Sequence, residues 1–194
     1  MSEHLLEAGV DEVGLGSAAY FVYSAAVILD PARPIEGLAD SKKLSPKKRE
    51  ALSREIREKA LAWCIATADL NEIETLNVKG AALLAMKRAV ESLPVVPDIV
   101  LVDGNTLPAL SLPALAIIKG DEKIACISAA SIVAKVARDA AMVECHQLYP
   151  EYGFDAHKGY LTGAHLSALA KFGPCPLHRR TYAPIRKLLG DDTK

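Results

Sequence analysis

The pattern of apolar and polar positions divides the chain into short apolar runs and longer runs with helical spacing. Leu6 to Asp11 predicts a first strand, ending on two adjacent acids, Asp11 and Glu12. Ala19 to Leu29, AYFVYSAAVIL, is apolar, aromatic and β-branched and predicts a largely buried second strand, closed by Asp30-Pro31. Ser45-Pro46 is a helix start, with serine as cap and proline at the first helical position. A third strand is expected around Ala62 to Ala68. Asn71 and Asn77 are candidate caps, the second opening a helix in which Leu83, Met86, Val90 and Leu93 share a face. Ile99 to Val102 and Leu115 to Ile118 are short apolar runs that stop at Asp103-Gly104 and Lys119-Gly120-Asp121. An alanine-rich helix is expected over Ile124 to Gln147. Shorter helices follow over Gly163 to Phe172, stopped by Gly173-Pro174, and over Pro184 to Leu189. Interleaved strands and helices predict an α/β fold around a mixed sheet. The whole of 1–194 reads as one domain, with a helical C-terminal segment from about 163.

Composition narrows the function classes. Of 194 residues, 51% are hydrophobic and 24% charged, and the net charge is −1. This is a globular balance, and it excludes a protein that is basic throughout, though not one with a local basic face. The first residues form no export signal, and no apolar run reaches the length of a membrane span. Cys64, Cys126, Cys145 and Cys175 form no C-x-x-C pair and no zinc spacing, and without an export signal reduced thiols in the cytoplasm are expected. The last residues, KLLGDDTK, show no clamp-binding motif.

The chemistry lies where the strands end. Asp11, Glu12, Asp103 and Asp121 each close or follow an apolar run, the position at which side chains converge in α/β sheets. Singly, each reads as an ordinary turn acid. Together they would repel one another unless cations neutralised them, and an oxygen-only set suits magnesium or manganese. Gly14-Leu15-Gly16-Ser17-Ala18-Ala19 formally matches a dinucleotide fingerprint, but that motif requires a helix to follow, and here a strand does. Ser41-Lys42-Lys43 before a helix, His157-Lys158-Gly159-Tyr160, and His178-Arg179-Arg180 supply cations interleaved with aromatic rings, which suits phosphates and sugars.

These stretches, AGVDEVG, DSKKLS, VDGN, KGD, SAASIVAKVARD, YGF, HKGY and HRRTYAPI, occur in the order found in bacterial ribonuclease HII, which the chain resembles over nearly its whole length. The resemblance implies an RNase H-like fold with a five-stranded mixed sheet. It implies hydrolysis of the RNA strand of RNA–DNA hybrids by two metal ions. It also implies incision 5′ to a single ribonucleotide in duplex DNA, with 3′-hydroxyl and 5′-phosphate products, by a monomer without membrane attachment. The family's metal-binding acids fall on Asp11, Glu12, Asp103 and Asp121. Its substrate contacts fall on Gly14, Leu15, Gly16, Ser41, Lys42, Lys158 and Tyr160, and Arg179 joins them from the basic cluster. Asp139 reads as structural, pairing with Arg138 or Arg179. The chain departs from the family on the side that faces nucleic acid. Gly-Arg-Gly-Pro becomes Gly14-Leu15-Gly16-Ser17, Tyr20 replaces a glycine, and Thr106 stands at a position often basic. The alternative implied by these departures is a hybrid-binding protein with weak or relaxed cleavage.

Overall fold

The computed structural model describes residues 5–39 and 41–190. The sequence readings at Met1–His4, Asp40 and 191–194 lie outside these residues. Strands β1 (Glu7–Val13), β2 (Val22–Ile28), β3 (Ala62–Ala68), β4 (Ile99–Asp103) and β5 (Ala114–Ile117) form a single sheet in the order β3-β2-β1-β4-β5. β2 lies antiparallel to β1 and β3, whereas β4 runs parallel to β1 and β5 parallel to β4. Helices α1 (Pro46–Lys59), α2 (Leu70–Glu91), α3 (Ala125–Leu148), α4 (Phe154–His157), α5 (Gly163–Phe172) and α6 (Ala183–Leu188) complete the fold.

Alternation along β1 sends its residues into two cores. Ala8 and Val10 pack with Met86, Ala89 and Val90 of α2 on one face. Gly9 and Val13 face the other side, where α1 and α3 cover the sheet with Leu52, Ile56, Ala129, Ala130 and Ile132. The alanine run of α3 lets the helix approach closely. A β-carbon on Gly9 would lie 2.1 Å from the carbonyl carbon of Cys126. A third cluster joins the later half of α3 to the C-terminal helices through Met142, Cys145, Tyr152, Phe154, Leu169 and Ile185.

Ser45 caps α1, its side chain accepting from the amide of Lys48, as its sequence predicts. The cap of α2 is Asp69 rather than Asn71. Asp69 accepts from the Glu72 amide, and Glu72 reaches back to the Asp69 amide, a reciprocal pair that starts the helix two residues earlier. Asn77 is a cap within α2. Its backbone is left-handed at φ 58°, and its side-chain oxygen accepts from the amides of Lys79 and Gly80, so the helix restarts there.

The second strand begins at Val22, not at Ala19. Residues 14–21 instead form a loop whose partners lie in the C-terminal half. The Ala18 amide donates to Gly159 O, the Tyr20 amide to Leu177 O, and Ala19 bridges His178. Tyr20 adopts φ 67°, a left-handed turn incompatible with a continuing strand.

Candidate active site

β1 and β4 are paired in parallel with Val10 opposite Val102, so Asp11 and Asp103 follow side by side at adjacent strand ends. Asp11 is on the α3 face and Glu12 on the α2 face, by the same alternation that divides the core. Asp103 Oδ1 accepts from the amides of Gly120 and Asp121, at 2.7 and 3.3 Å. This fixes a tight turn in which Lys119 is left-handed at φ 56° and a β-carbon on Gly120 would lie 2.6 Å from Ile127. Asp121 is thereby carried to the Asp103 strand end, and Ser128 of α3 holds its carbonyl at 2.5 Å.

The acids feel one another. Burial, then Glu12 and then Asp103, push the Asp11 carboxyl well above the ordinary carboxylate range, against a hydrogen bond from Ser131. Burial and Asp103 raise Glu12 as well, with Lys42 opposing. Asp11 Oδ1 also accepts from the Glu12 amide at 2.7 Å. Among the described residues, no three acidic, histidine or cysteine side chains stand in a ready-made coordination set. The donors at the strand ends are nonetheless all carboxylate oxygens, and their mutual repulsion is what a hard divalent cation relieves. The residues present fit such an ion.

Two hollows flank Glu12. One, of about 330 Å³, is lined by Asp11, Glu12, Ser41, Lys42, Ser131, Lys135 and Tyr160. Ser41 and Ser131 hydroxyls lie 3.0 Å apart. The Lys135 ammonium and the Arg138 guanidinium sit 5.8 and 5.7 Å from the centre of the Tyr160 ring. The other hollow, of about 240 Å³, is lined by Glu12, Leu15, Lys79, Asp103, Asn105 and Thr106 over Ala82, Leu83 and Met86.

The loop between them is held from behind by two buried arginines. Arg138 donates to the carbonyls of Ala19, Phe21 and Lys158. Arg179, 2% exposed, donates to those of Leu15 and Tyr20. Burial and the neighbouring Arg138 push the Arg179 guanidinium down to about 9. Arg179 therefore acts on the loop backbone, not at the surface where a substrate contact is expected. Gly14, at φ 100°, leaves room for Arg138, whose Nε would lie 2.4 Å from a β-carbon there. A β-carbon on Gly16 would sit 3.8 Å from the Tyr160 ring.

Several expected residues are placed differently. The Lys158 ammonium donates to Asp155 O at 2.5 Å, and Lys158 is not among the residues lining either hollow. Asp139 pairs with Lys135 at 2.7 Å and Arg49 at 3.4 Å, not with Arg138 or Arg179, because Lys135 lies one turn earlier on the same helix face. Ser131 and Lys135 were not anticipated. Their signal is the 131, 135, 139 spacing along α3, which puts a hydroxyl, a cation and its acid on one face.

The Ribonuclease HII family profile matches residues 8–185. The chain belongs to the ribonuclease HII family. It is 62% identical over 185 residues to the ribonuclease HII of Desulforamulus reducens, covering 95% of this chain and 93% of that one. It is 58% identical over 183 residues to that of Idiomarina loihiensis, covering 94% and 98%. Among solved structures, the ribonuclease H2 of Pyrococcus horikoshii superposes with a TM-score of 0.77 at 26% identity, over 94% of this chain and 96% of that chain. Bst-RNase HIII in complex with Mn2+ shares the fold at a TM-score of 0.73 and 18% identity, over 96% and 70%. Membership makes the chain an endoribonuclease of the ribonuclease H type, hydrolysing the RNA strand of RNA–DNA hybrids. Among the described residues, no helix is long and apolar enough to cross a membrane.

Proposed function

We propose that the strand-end acids Asp11, Glu12, Asp103 and Asp121 hold two magnesium or manganese ions and that the enzyme incises 5′ to single ribonucleotides in duplex DNA as well as cutting hybrids. The observation that carries this reading is the placement of Asp11 and Asp103 on adjacent parallel strand ends, with Asp121 tied to Asp103 by its backbone amide, beside a cleft edged with Lys42 and Lys135. Bound there, such ions supply an activated water and charge neutralisation at the leaving 3′ oxygen, giving 3′-hydroxyl and 5′-phosphate ends. Strand pairing fixes the backbones of Asp11, Glu12 and Asp103, and the hydrogen bond from the Asp121 amide to Asp103 ties the turn that carries Asp121 to them.

The chain's own residues do the rest. Lys42 and Lys135 attract the phosphates that flank the scissile bond. Tyr160 packs against the sugar of the nucleotide after the ribonucleotide. The backbone of Gly14, Leu15 and Gly16 reads the 2′-hydroxyl, the group that distinguishes RNA from DNA at one position. Leu15 removes a guanidinium, yet its carbonyl is bonded by Arg179, which favours a loop that keeps its shape. Ser41 orients Ser131 toward Asp11.

The test uses end-labelled duplexes, one carrying a single ribonucleotide and one an all-RNA strand on DNA, each with magnesium and with manganese. Cutting of both, with the first incised 5′ to the ribonucleotide, is the expected result. Cutting of the hybrid alone would show that the altered loop has lost junction reading. Binding without product on either duplex would favour the hybrid-binding alternative.

A further inference from the structure

Beneath Tyr160 lie histidines that the proposed chemistry does not use. His165 and His178 are 0% and 2% exposed, and their Nε2 atoms are 3.0 Å apart. Two imidazole nitrogens at that distance can bond only if one carries a proton and the other does not. The backbone decides which. The Cys175 amide lies 2.9 Å from His178 Nδ1, and an amide can only donate, so that nitrogen accepts. The Cys175 carbonyl is 3.3 Å from the same atom and already receives the His178 amide. A neutral His178 therefore carries its proton on Nε2. At the other end, His165 Nδ1 is 3.0 Å from the Tyr160 carbonyl, which can only accept, so His165 carries its proton on Nδ1 and accepts at Nε2. Both ends give the same directed chain, running from Cys175 N–H through His178 and His165 to Tyr160 O.

We propose that His165 and His178 form a neutral relay of one fixed tautomer each, which sets the backbone of Tyr160 and so the placement of its ring in the cleft. They are positioning residues, and this role rests on the reading of Tyr160 as a substrate contact. His157 anchors the preceding residues. Its Nε2 donates to Tyr152 O at 2.6 Å, its Nδ1 accepts from the Gly159 amide, and its carbonyl accepts from the Tyr160 amide. Its ring stacks on His165 at 4.3 Å and 11°. The groups facing the pair are His157 from α4, Tyr152 from the preceding turn, Phe154, and Cys175 from the loop after α5. None of these is an acid that would stabilise a charged imidazole. Burial first, then His165, holds His178 down at about 4, and burial lowers His165. A proton added to His165 Nε2 would point at the His178 N–H and break the chain.

Nitrogen NMR of the wild-type imidazoles tests the relay directly, and two variants test its consequence. His178 is expected to be protonated on Nε2 and His165 on Nδ1 at neutral pH. His165→Asn puts an amide nitrogen where Nδ1 stands and keeps the bond to Tyr160 O. His165→Gln puts its amide oxygen where Nε2 stands, still accepting from His178, and loses the bond to Tyr160 O. The Gln variant should lower kcat/KM on the single-ribonucleotide duplex about tenfold and shift the Tyr160 ring signals, as expected for one lost hydrogen bond at a positioned contact. The Asn variant should stay within about threefold of wild type, and both should bind Mn2+ as wild type does. The opposite tautomers, or equal activity and equal Tyr160 ring signals in the two variants, would overturn the proposal. A wild-type protein that cuts neither duplex would sink the functional reading instead, leaving the relay to be judged by the nitrogen and Tyr160 signals.

Discussion

Gly9→Ala tests how tightly the catalytic strand depends on α3. A β-carbon at this position would lie 2.1 Å from Cys126 C, 2.3 Å from Cys126 O and 2.3 Å from Ile127 N. All three are backbone atoms, so no side chain can swing aside. Restoring ordinary contact requires β1 and the start of α3 to separate by more than about 1 Å, and overpacking of this kind costs about 3 kcal/mol, the top of the usual range. For a chain of this size that corresponds to a fall in Tm of about 6–12 °C. The displacement also reaches the chemistry. α3 begins just after Asp121, its Ser128 holds the Asp121 carbonyl, and its Ser131 bonds Asp11 and Ser41. A shift of about 1 Å between Asp11 and these groups should lower kcat about 100-fold. Calorimetry and single-turnover cleavage measure the two effects. Gly163→Ala is the control, since a β-carbon there meets nothing within 4 Å and its backbone needs no glycine. Its Tm should hold or rise slightly. A Gly9→Ala protein within about 1 kcal/mol of wild type and fully active would refute the packing argument.

Other expected outcomes follow from the same structure. Asp11→Asn should abolish cleavage yet raise Tm in metal-free buffer. The Asp11 carboxyl is raised, so the folded state binds the proton more tightly and its ionised form is destabilising above its unfolded value, and removing the charge removes that cost; a lower Tm in a scanning measurement would contradict this. Mn2+ at about 100 times its Kd should stabilise the wild type by about 2.7 kcal/mol, or about 5–10 °C, and leave Asp11→Asn unmoved. Stability should fall as pH drops from about 6.5 towards 4. His178 is held near 4 in the fold, so the unfolded chain takes up the proton first, and His178→Gln should flatten that slope in chemical denaturation at each pH. Arg138→Met should loosen residues 14–21, since three loop and turn carbonyls lose their donor, and should weaken single-ribonucleotide incision more than hybrid cutting.

The acids were legible because strand ends and turn residues are local signals. Asp103 and Asp121 each follow a short apolar run, whereas the parallel β1–β4 pairing that sets Asp11 beside Asp103 is long-range and was supplied by the structure. Tyr20 drew notice only through the resemblance, as a ring where the family has a glycine; its left-handed backbone is one that a glycine would accept freely. The start of β2 was not legible. Ala19, Tyr20 and Phe21 have strand composition, but the partners of Ala19 and Tyr20, His178 and Leu177, lie more than a hundred residues away. Arg179 misled for a similar reason. Its position in a basic cluster signals a surface, whereas burial under the loop is decided by tertiary packing. The histidine relay was not legible either, because its central link, His165 to His178, spans thirteen residues and is made by packing α5 against the loop that follows it.

The central claim is that the strand-end carboxylates hold the ions that drive cleavage. The most direct test is a calorimetric Mn2+ titration of wild-type and Asp103→Asn proteins, with cleavage of the RNA–DNA hybrid measured on the same samples. The account predicts that Asp103→Asn, still folded, loses Mn2+ affinity and cleavage together. An Asp103→Asn protein that cuts the hybrid at the wild-type rate would contradict it.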